Sequence, residues 1–488
     1  MTESVAPVSD CCGSSGPNGR EPSRKDLVVV GGGSAAFAAA IKMSELGGET
    51  VIINDGLPIG GTCVNVGCIP SKTMVRAADA VWRAQHNHFD GLSTSGTVSD
   101  FGHIVAQTQS LVEDMRFEKY VNVVADDPAI QIVSGKARIQ DRHCVEADGQ
   151  RFAADNILIA TGARTFVPDI PGLAAVPFLT NDSIYNLDEL PSHLIILGGR
   201  YIALENAQIF SRLGSSVTII QRSDSIIPDQ DEDVSEEITG FLKAEGVTIL
   251  TGSDILNVEE AETGVVVTVE EGGEQKQIQG SHLMLATGRR GNTDDLGLEA
   301  LGIQLHGSGY VQVDETQRTS VSHIFAAGDV IGEQQFVYTA AYEGSLAAEN
   351  AFRSMHKSRD YSVLPWVIFT DPQVAGVGLD EKQAAETGID IEVSKLEMKH
   401  VPRAIAARDT RGFIKLLRNP VTDELLGARI VAPEGAELLM ELSLAIKHQI
   451  TVTELKEAFH PYLTLSEAIK LAAISFGKDV GKLSCCAV

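Results

Sequence analysis

Short apolar runs bounded by glycine alternate with longer segments of helical pattern along most of the chain. Leu27-Val28-Val29-Val30 is continuously apolar, too short for a helix, and ends at Gly31-Gly32-Gly33. It reads as a strand buried on both faces. An alanine-rich helical segment follows from Ser34, and Thr50 to Ile53 forms the next strand. This strand–turn–helix–strand order returns later. Leu194 to Leu197 leads into Gly198-Gly199-Arg200-Tyr201-Ile202-Ala203, and Val217 to Gln221 closes the second copy. The spacing from Gly31 to Asn54 equals that from Gly198 to Gln221. Each half also carries a later strand ending Ala-Thr-Gly, Ile157 to Gly162 and Leu283 to Gly288. A repeat of equal spacing is stronger evidence than either glycine motif alone, because single matches are common by chance. Residues 361–488 differ, with strand-like runs at Gly412 to Leu417 and Gly427 to Val431 and a helical stripe from Ala436 to Lys447 that suits core or interface packing. Residues 1–24 are polar, rich in Gly, Ser and Pro, and read as a disordered tail.

The repeated turn has the form of a dinucleotide-binding turn. In the first copy Gly31 permits the bend, Gly33 admits a pyrophosphate, and Ala36 lets helix and strand pack. The helix N-terminus then faces the phosphates. A ribose-binding carboxylate is expected at the end of the second strand. Asn54-Asp55 stand there, so either Asp55 serves or Asn54 binds more weakly. In the second copy Arg200 stands where a glycine is expected, and its side chain either pushes the pyrophosphate away or contacts it. Gln221 is neutral, and the Arg222 guanidinium after it could grip a 2′-phosphate. That points to NADPH here; the plainer alternative is a solvated surface charge. The first copy, which leads directly into two cysteines, then takes FAD. Gly198, Tyr201, Thr161, Gly162 and Gly288 complete the expected cofactor-binding set.

At 488 residues the chain exceeds one core, so about two to four domains are expected. Asp and Glu number 66 against 39 Lys and Arg, a net charge of -27. Nucleic acid is disfavoured as a partner, since phosphate binding needs clustered positive charge. The excess suits either a salty cytoplasm, where screening is strong, or an ordinary acidic bacterial enzyme. No apolar run is long enough to span a bilayer, and Met1 to Lys25 lacks a secretory core. A cytoplasmic protein with no membrane partner is expected, in which thiols stay reduced unless they act. The seven cysteines fall as Cys11-Cys12, Cys63 with Cys68, a lone Cys144, and Cys485-Cys486. That is no disulfide framework.

Cys63 and Cys68 lie in Gly60-Gly61-Thr62-Cys63-Val64-Asn65-Val66-Gly67-Cys68-Ile69-Pro70-Ser71-Lys72. Zinc needs more ligands than this stretch offers, so a redox or soft-ligand pair is the better reading. The glycines let backbone pass close to something flat and large. A helix starting near Thr62 would favour a thiolate there. The plainer alternative is two cysteines buried as small apolar residues.

This stretch closely resembles the redox-active segment of the flavin-dependent pyridine nucleotide–disulfide oxidoreductases, a family that includes glutathione reductase, dihydrolipoyl dehydrogenase and mercuric reductase. The resemblance covers nearly all of the chain beyond residue 25. It implies an α/β fold with two Rossmann-like domains, for FAD and NADPH, plus an α+β dimerisation domain. The implied boundaries are 25–165 with 290–360 for FAD, 166–289 for NADPH, and 361–488 for dimerisation. It places Gly61, Thr62 and Lys72 at the flavin, Asp329 on the flavin's polyol chain, and Lys72 with Glu205 as an ion pair beside it.

Disulfide-reducing members end with a His-Pro-Thr-type segment whose histidine is the general acid–base. Here the segment is His460-Pro461-Tyr462-Leu463-Thr464-Leu465-Ser466-Glu467. Alignment puts Tyr462 in the histidine's place, and a phenol near pKa 10 is a poor base at neutral pH. Tyr462 and the ending Leu483-Ser484-Cys485-Cys486-Ala487 are similar to mercuric reductases within the family. That likeness implies Tyr120 and Tyr462 flanking Hg(II), and Cys485 and Cys486, from the partner of a homodimer with a shared active site, passing the ion from small thiols to Cys63 and Cys68. NADPH, through FAD, then reduces it to Hg(0). Two other readings stand beside this one. One is a disulfide reductase of the dihydrolipoyl dehydrogenase or glutathione reductase type. The other is a non-catalytic thiol protein that binds metal.

Overall fold

The computed structural model describes residues 24–353 and 355–482. The tail expected at residues 1–24, apart from Arg24, lies outside them, as do Cys485 and Cys486. The chain divides into two compact units, one holding residues up to 70, 106–166 and 288–359, the other 71–105, 167–287 and 360 onward.

In the first unit β1 (Lys25–Val30) lies between β2 (Thr50–Asn54) and the strand Gln150–Ile159, parallel to both. Ile130–Ser134 extends the sheet beyond β2, and Ile324–Ala326 pairs with Gln150–Ile159, again in parallel. Leu27 to Val30 are buried, because both faces of the sheet are covered, and so the run is apolar without alternation. Helix α1 (Ser34–Glu45) shares an alanine-lined core with helix Val337–Phe352. A Cβ on Gly344 would fall 2.1 Å from the Ala35 carbonyl oxygen, so these two helices touch backbone to backbone.

The second unit carries a parallel sheet in the order Thr248–Leu250, Ser216–Ile220, His193–Leu197, His282–Leu285. It also carries a five-stranded antiparallel sheet made by Trp366–Ile368, Gln373–Gly378, Leu425–Ala432, Phe413–Arg418 and Glu392–Glu397. Helices Leu439–Lys447 and Glu467–Ile474 cover one face of that sheet. The expected stripe from Ala436 begins as a 3-10 turn, Gly435–Leu438, before the α-helix proper. Two buried ion clusters sit in this unit. Arg212 joins Asp79, Glu245 and Asp371. The Lys415 Nζ donates to Asp231, Asp233 and Glu381, each at 2.7 Å. Those three carboxylates are spaced to hold a cation, and the ammonium takes that place.

The internal repeat is geometric as well as spaced. Gly31 and Gly198 both have φ +116, and an added Cβ would lie 2.2 Å from the Ala160 carbonyl oxygen and 2.3 Å from that of Ala286, respectively. Each glycine lets the turn close against the strand that ends Ala-Thr-Gly. Gly31→Ala is expected to destabilise the first unit by about 2 kcal/mol or more, seen as a lower melting temperature. Gly56→Ala is the control, since Gly56 shares a positive φ (+78) but an added Cβ there meets nothing within 4 Å. Equal melting of the two variants would refute the clash.

Candidate functional site

The cysteine stretch and the first dinucleotide turn meet through glycine. Gly60 (φ +99) and Gly61 (φ +62) are left-handed, a conformation glycine takes without strain. A Cβ on Gly61 would lie 2.8 Å from the Gly33 Cα, and the Gly60 N–H donates to the Gly32 carbonyl at 2.8 Å. Buried Asn65 ties the loop from inside, donating to the carbonyls of Pro58, Ile59 and Gly61 at 3.0, 3.2 and 2.8 Å.

Two helices carry the cysteines. Thr62 and Cys63 lie in the first turn of α2 (Gly61–Val66), and Cys68 opens α3 (Cys68–Gln85). Gly67 joins them with φ -124 and ψ -111. Both cysteines are half-buried. The amide dipoles of α3 favour negative charge at its first residue.

Tyr120 stands in a π-helical turn, Phe117–Val121, that continues the helix Phe101–Arg116. Such turns shift the phase of a helix and are frequent at functional sites. The Tyr120 hydroxyl lies 3.0 Å from Ser34 Oγ, and its ring packs edge-on to Phe37 with centroids 5.1 Å apart. Burial raises its pKa, and charge on Cys63 and Cys68 raises it further against the lowering effect of Ser34. Tyr120 is therefore held as a protonated phenol, with its ring beside the Gly60 position at the head of the cysteine stretch. Tyr338, near the start of helix Val337–Phe352, is raised by partial burial and then by charge on Cys68. Neither Ser34 nor Tyr338 was marked by any motif.

The rest of the first turn suits a large phosphorylated ligand. A Cβ on Gly33 would meet only Gly61, at 3.8 Å, so the groove over it is open. Buried Ala36 packs beneath in the helix–sheet core. The Asn54 Oδ1 lies over Gly32, and its Nδ2 donates to the Leu57 carbonyl at 3.0 Å. Asp55 is exposed beyond the strand, so of the two candidates Asn54 faces the turn. Thr161 Oγ1 donates to the Asn292 carbonyl at 2.7 Å, and the Asn292 N–H donates to the Gly162 carbonyl at 3.0 Å. Asp329 lies 3.5 Å from Arg289, and burial pushes its carboxyl above the usual range despite that guanidinium. The Arg289 Nε is a buried donor with no partner among the described residues. A bare-glycine groove, a half-buried carboxyl and an orphaned donor fit FAD.

In the second turn Tyr201 opens the helix Tyr201–Leu213 and stacks on Trp366, centroids 5.8 Å apart. Arg200 pairs with Asp229 at 3.0 Å. Gln221 is buried and Arg222 exposed. Gly288 has φ +103 and open space beside it. The Lys72 Nζ lies 2.7 Å from buried Glu205, whose other oxygen accepts the Phe369 N–H at 3.0 Å. Tyr462 is 53% exposed. Its loop is fixed by Thr464 Oγ1 donating to the Pro461 carbonyl and by the Leu463 N–H donating to Glu467. His460 turns to Glu441, at 2.7 Å, so Glu467 holds the backbone beside Tyr462 instead of a histidine. The structure thus brings Cys63, Cys68 and Tyr120 together in one unit and Lys72 and Glu205 together in the other. Tyr462 belongs to the latter unit.

Twin dinucleotide turns, a cysteine pair abutting the first, and an antiparallel domain after them define a class. The chain belongs to the pyridine nucleotide-disulphide oxidoreductases, whose family profile matches residues 25–344, and the family's dimerisation domain matches residues 364–473. Within that class its relatives include the mercuric reductase of Bacillus cereus, 41% identical over 95% of this chain and 73% of that protein. That of Streptomyces lividans is 41% identical over 95% of this chain and 98% of that protein. Among solved structures, the Cu(II) complex of the HOCl-induced flavoprotein disulfide reductase RclA from Escherichia coli superposes with TM-score 0.83 at 29% identity. It covers 93% of this chain and all of that one (100%). Among the described residues no helix is long and apolar enough to cross a membrane.

Proposed function

We propose that this chain reduces Hg(II) to Hg(0) with NADPH, through FAD and the Cys63–Cys68 pair, in the cytoplasm. The observation that carries the reading is the placing of Tyr120 beside Gly60, at the head of the stretch that carries Cys63 and Cys68, in a chain with Tyr462 where the family resemblance expects the thiol-exchange histidine. The mercuric reductases it resembles at about two-fifths identity support the substrate.

Residues 25–165 with 290–360 take FAD, 166–289 take NADPH, and 361–488 form the dimer interface. Breaks between the compact units fall near residues 166, 288 and 359, while residues 71–105 group with 167–287 and 360 onward in the second unit. FAD and NADPH, when bound, supply the electron pair as a hydride relayed from nicotinamide to flavin. Gly31, Gly33, Ala36, Asn54, Gly61, Thr62, Thr161, Gly162 and Asp329 hold the flavin. Gly198, Tyr201, Arg222 and Gly288 serve the nicotinamide nucleotide, and Lys72 with Glu205 is the ion pair that the family resemblance assigns to the flavin.

Cys485 and Cys486 of the partner subunit, outside the described residues, take Hg(II) from small thiols. Each exchange forms one mercury–sulfur bond as another breaks, and the displaced sulfur leaves as thiol or thiolate. Cys63 and Cys68 then receive the ion by the same exchange, with Tyr120 and Tyr462 flanking it. When the ion gains two electrons, both mercury–sulfur bonds break, Hg(0) departs, and the sulfurs remain as thiolates. No leaving group needs a proton at that step, so a tyrosine in place of the histidine is sufficient.

The test is turnover of purified protein with NADPH and either thiol-bound Hg(II), lipoamide or glutathione disulfide. Mercury should be volatilised in step with NADPH oxidation, with disulfide turnover far lower. Faster turnover of a disulfide would overturn the reading. Tyr462→Phe removes one hydroxyl contact and is expected to lower the mercury kcat about tenfold, equivalent to ~1.4 kcal/mol. An unchanged kcat would remove Tyr462 from the site.

A further inference from the structure

The two dinucleotide turns match at Gly31 and Gly198 but part at the third position. At Gly33 an added Cβ would meet only the Gly61 Cα, at 3.8 Å, and its counterpart is Arg200. The Arg200 backbone, φ -110 and ψ -169, is extended and unstrained, so the side chain distorts nothing. Its guanidinium leaves the turn immediately before helix Tyr201–Leu213 and lies 3.0 Å from the Asp229 carboxylate. The Arg200 side chain is 57% exposed and that of Asp229 is 40% exposed. An ion pair so open to water adds little to stability, and its partners can be exchanged.

We infer that Arg200 binds the pyrophosphate of the nicotinamide cofactor, and that Asp229 is the carboxylate it releases to do so. This deepens the reading that the second turn holds NADPH, and rests on it. A guanidinium makes bidentate, charge-assisted hydrogen bonds to phosphate oxygens. A pyrophosphate carries two such anionic groups and outcompetes one half-exposed carboxylate. The surroundings make the cation necessary. The chain carries a net charge of -27, and the exposed Asp224, Asp229 and Glu232 follow closely on Arg222. A polyanionic cofactor approaching this segment meets repulsion, which Arg200 and Arg222 offset locally. Their roles divide by chemistry: Arg200 meets the pyrophosphate common to NADH and NADPH, and Arg222 meets the 2′-phosphate found only in NADPH. In the resting protein Asp229 keeps the guanidinium aside.

The experiment is calorimetric titration of the oxidised holoenzyme with NADP⁺ and with NAD⁺, where no turnover occurs. R200Q is expected to weaken both nucleotides about tenfold and to flatten the dependence of affinity on salt. D229N is expected to tighten both about threefold, and R222Q to weaken NADP⁺ alone. All three positions are exposed, so unchanged melting temperatures verify the fold. If R222Q weakens NADP⁺ while R200Q binds both nucleotides as wild type or better, this inference is overturned and the NADPH reading survives. If neither R200Q nor R222Q changes either affinity, the assignment of the nicotinamide nucleotide to this turn fails, and the inference falls with it.

Discussion

Cys63→Ala and Cys68→Ala are each expected to abolish NADPH-dependent release of volatile mercury, by about a thousandfold or more. Removing either sulfur leaves a single ligand for a soft ion that strongly prefers two. Groups that act as one unit lose nearly everything when one member goes. The two cysteines qualify, since they sit on adjoining helices separated by Gly67 alone. Hydride transfer from the reduced pyridine nucleotide to bound flavin does not use these sulfurs, so bleaching of the flavin's visible band should persist in both variants. Headspace mercury measured by atomic absorption, alongside that spectrum, separates loss of chemistry from loss of fold. Mercury release at the wild-type rate by either variant would end the proposal.

Lys415→Met is expected to lower stability by about 3–5 kcal/mol. Lys415 is 1% exposed at its side chain, and its ammonium is the shared partner of Asp231, Asp233 and Glu381. Burial disfavours the charged form, but the three carboxylates outweigh it and raise the lysine's pKa above 10.5. Asp233 is lowered below 3.8 because its hydrogen bonds to Lys395 and Lys415 outweigh its own burial. The signs fix the pH window. The lysine's contribution is complete below its unfolded pKa and lost as pH rises through the raised one, and that of Asp233 is lost as pH falls through the lowered one. The difference between wild type and variant should therefore be flat from about pH 5 to 10 and shrink outside. Denaturant melts across that range measure it. The vacated carboxylates could accept Ca²⁺ or Mn²⁺, so either ion should raise the variant's melting temperature and leave wild type unmoved. A variant as stable as wild type would show that the cluster is not a keystone of this unit.

The sequence exposes whatever backbone contact or burial compels. Gly31 and Gly198 are legible because each lies against a carbonyl that no side chain could pass. The β1 run is legible because both faces are covered. Family likeness supplied Tyr120, but not the way it is placed. The π-turn at Phe117–Val121 breaks the helical phase from which a facing residue would be read. The choice between Asn54 and Asp55 was open in the sequence, because neighbouring strand residues point to opposite sides and only the end of β2 decides which faces the turn. Ser34, Tyr338 and Arg289 stayed invisible, since their partners are distant in the chain and no spacing rule links them. The three carboxylates around Lys415 come from two separate segments, for the same reason.

Gly67 has a mechanical corollary. A disulfide holds its sulfurs about 2 Å apart, whereas a metal bridging two sulfurs at bonds of ~2.3 Å or longer parts them by roughly twice that. Were Cys63 and Cys68 on one continuous helix, the span between them would be fixed by its pitch. They ride instead on two rods joined at a single residue, and a Cβ at that joint would press 2.9 Å from the Thr62 carbonyl oxygen. In the proposed chemistry the change of span from crosslink to chelate falls on that joint, and Gly67→Ala is expected to hinder it.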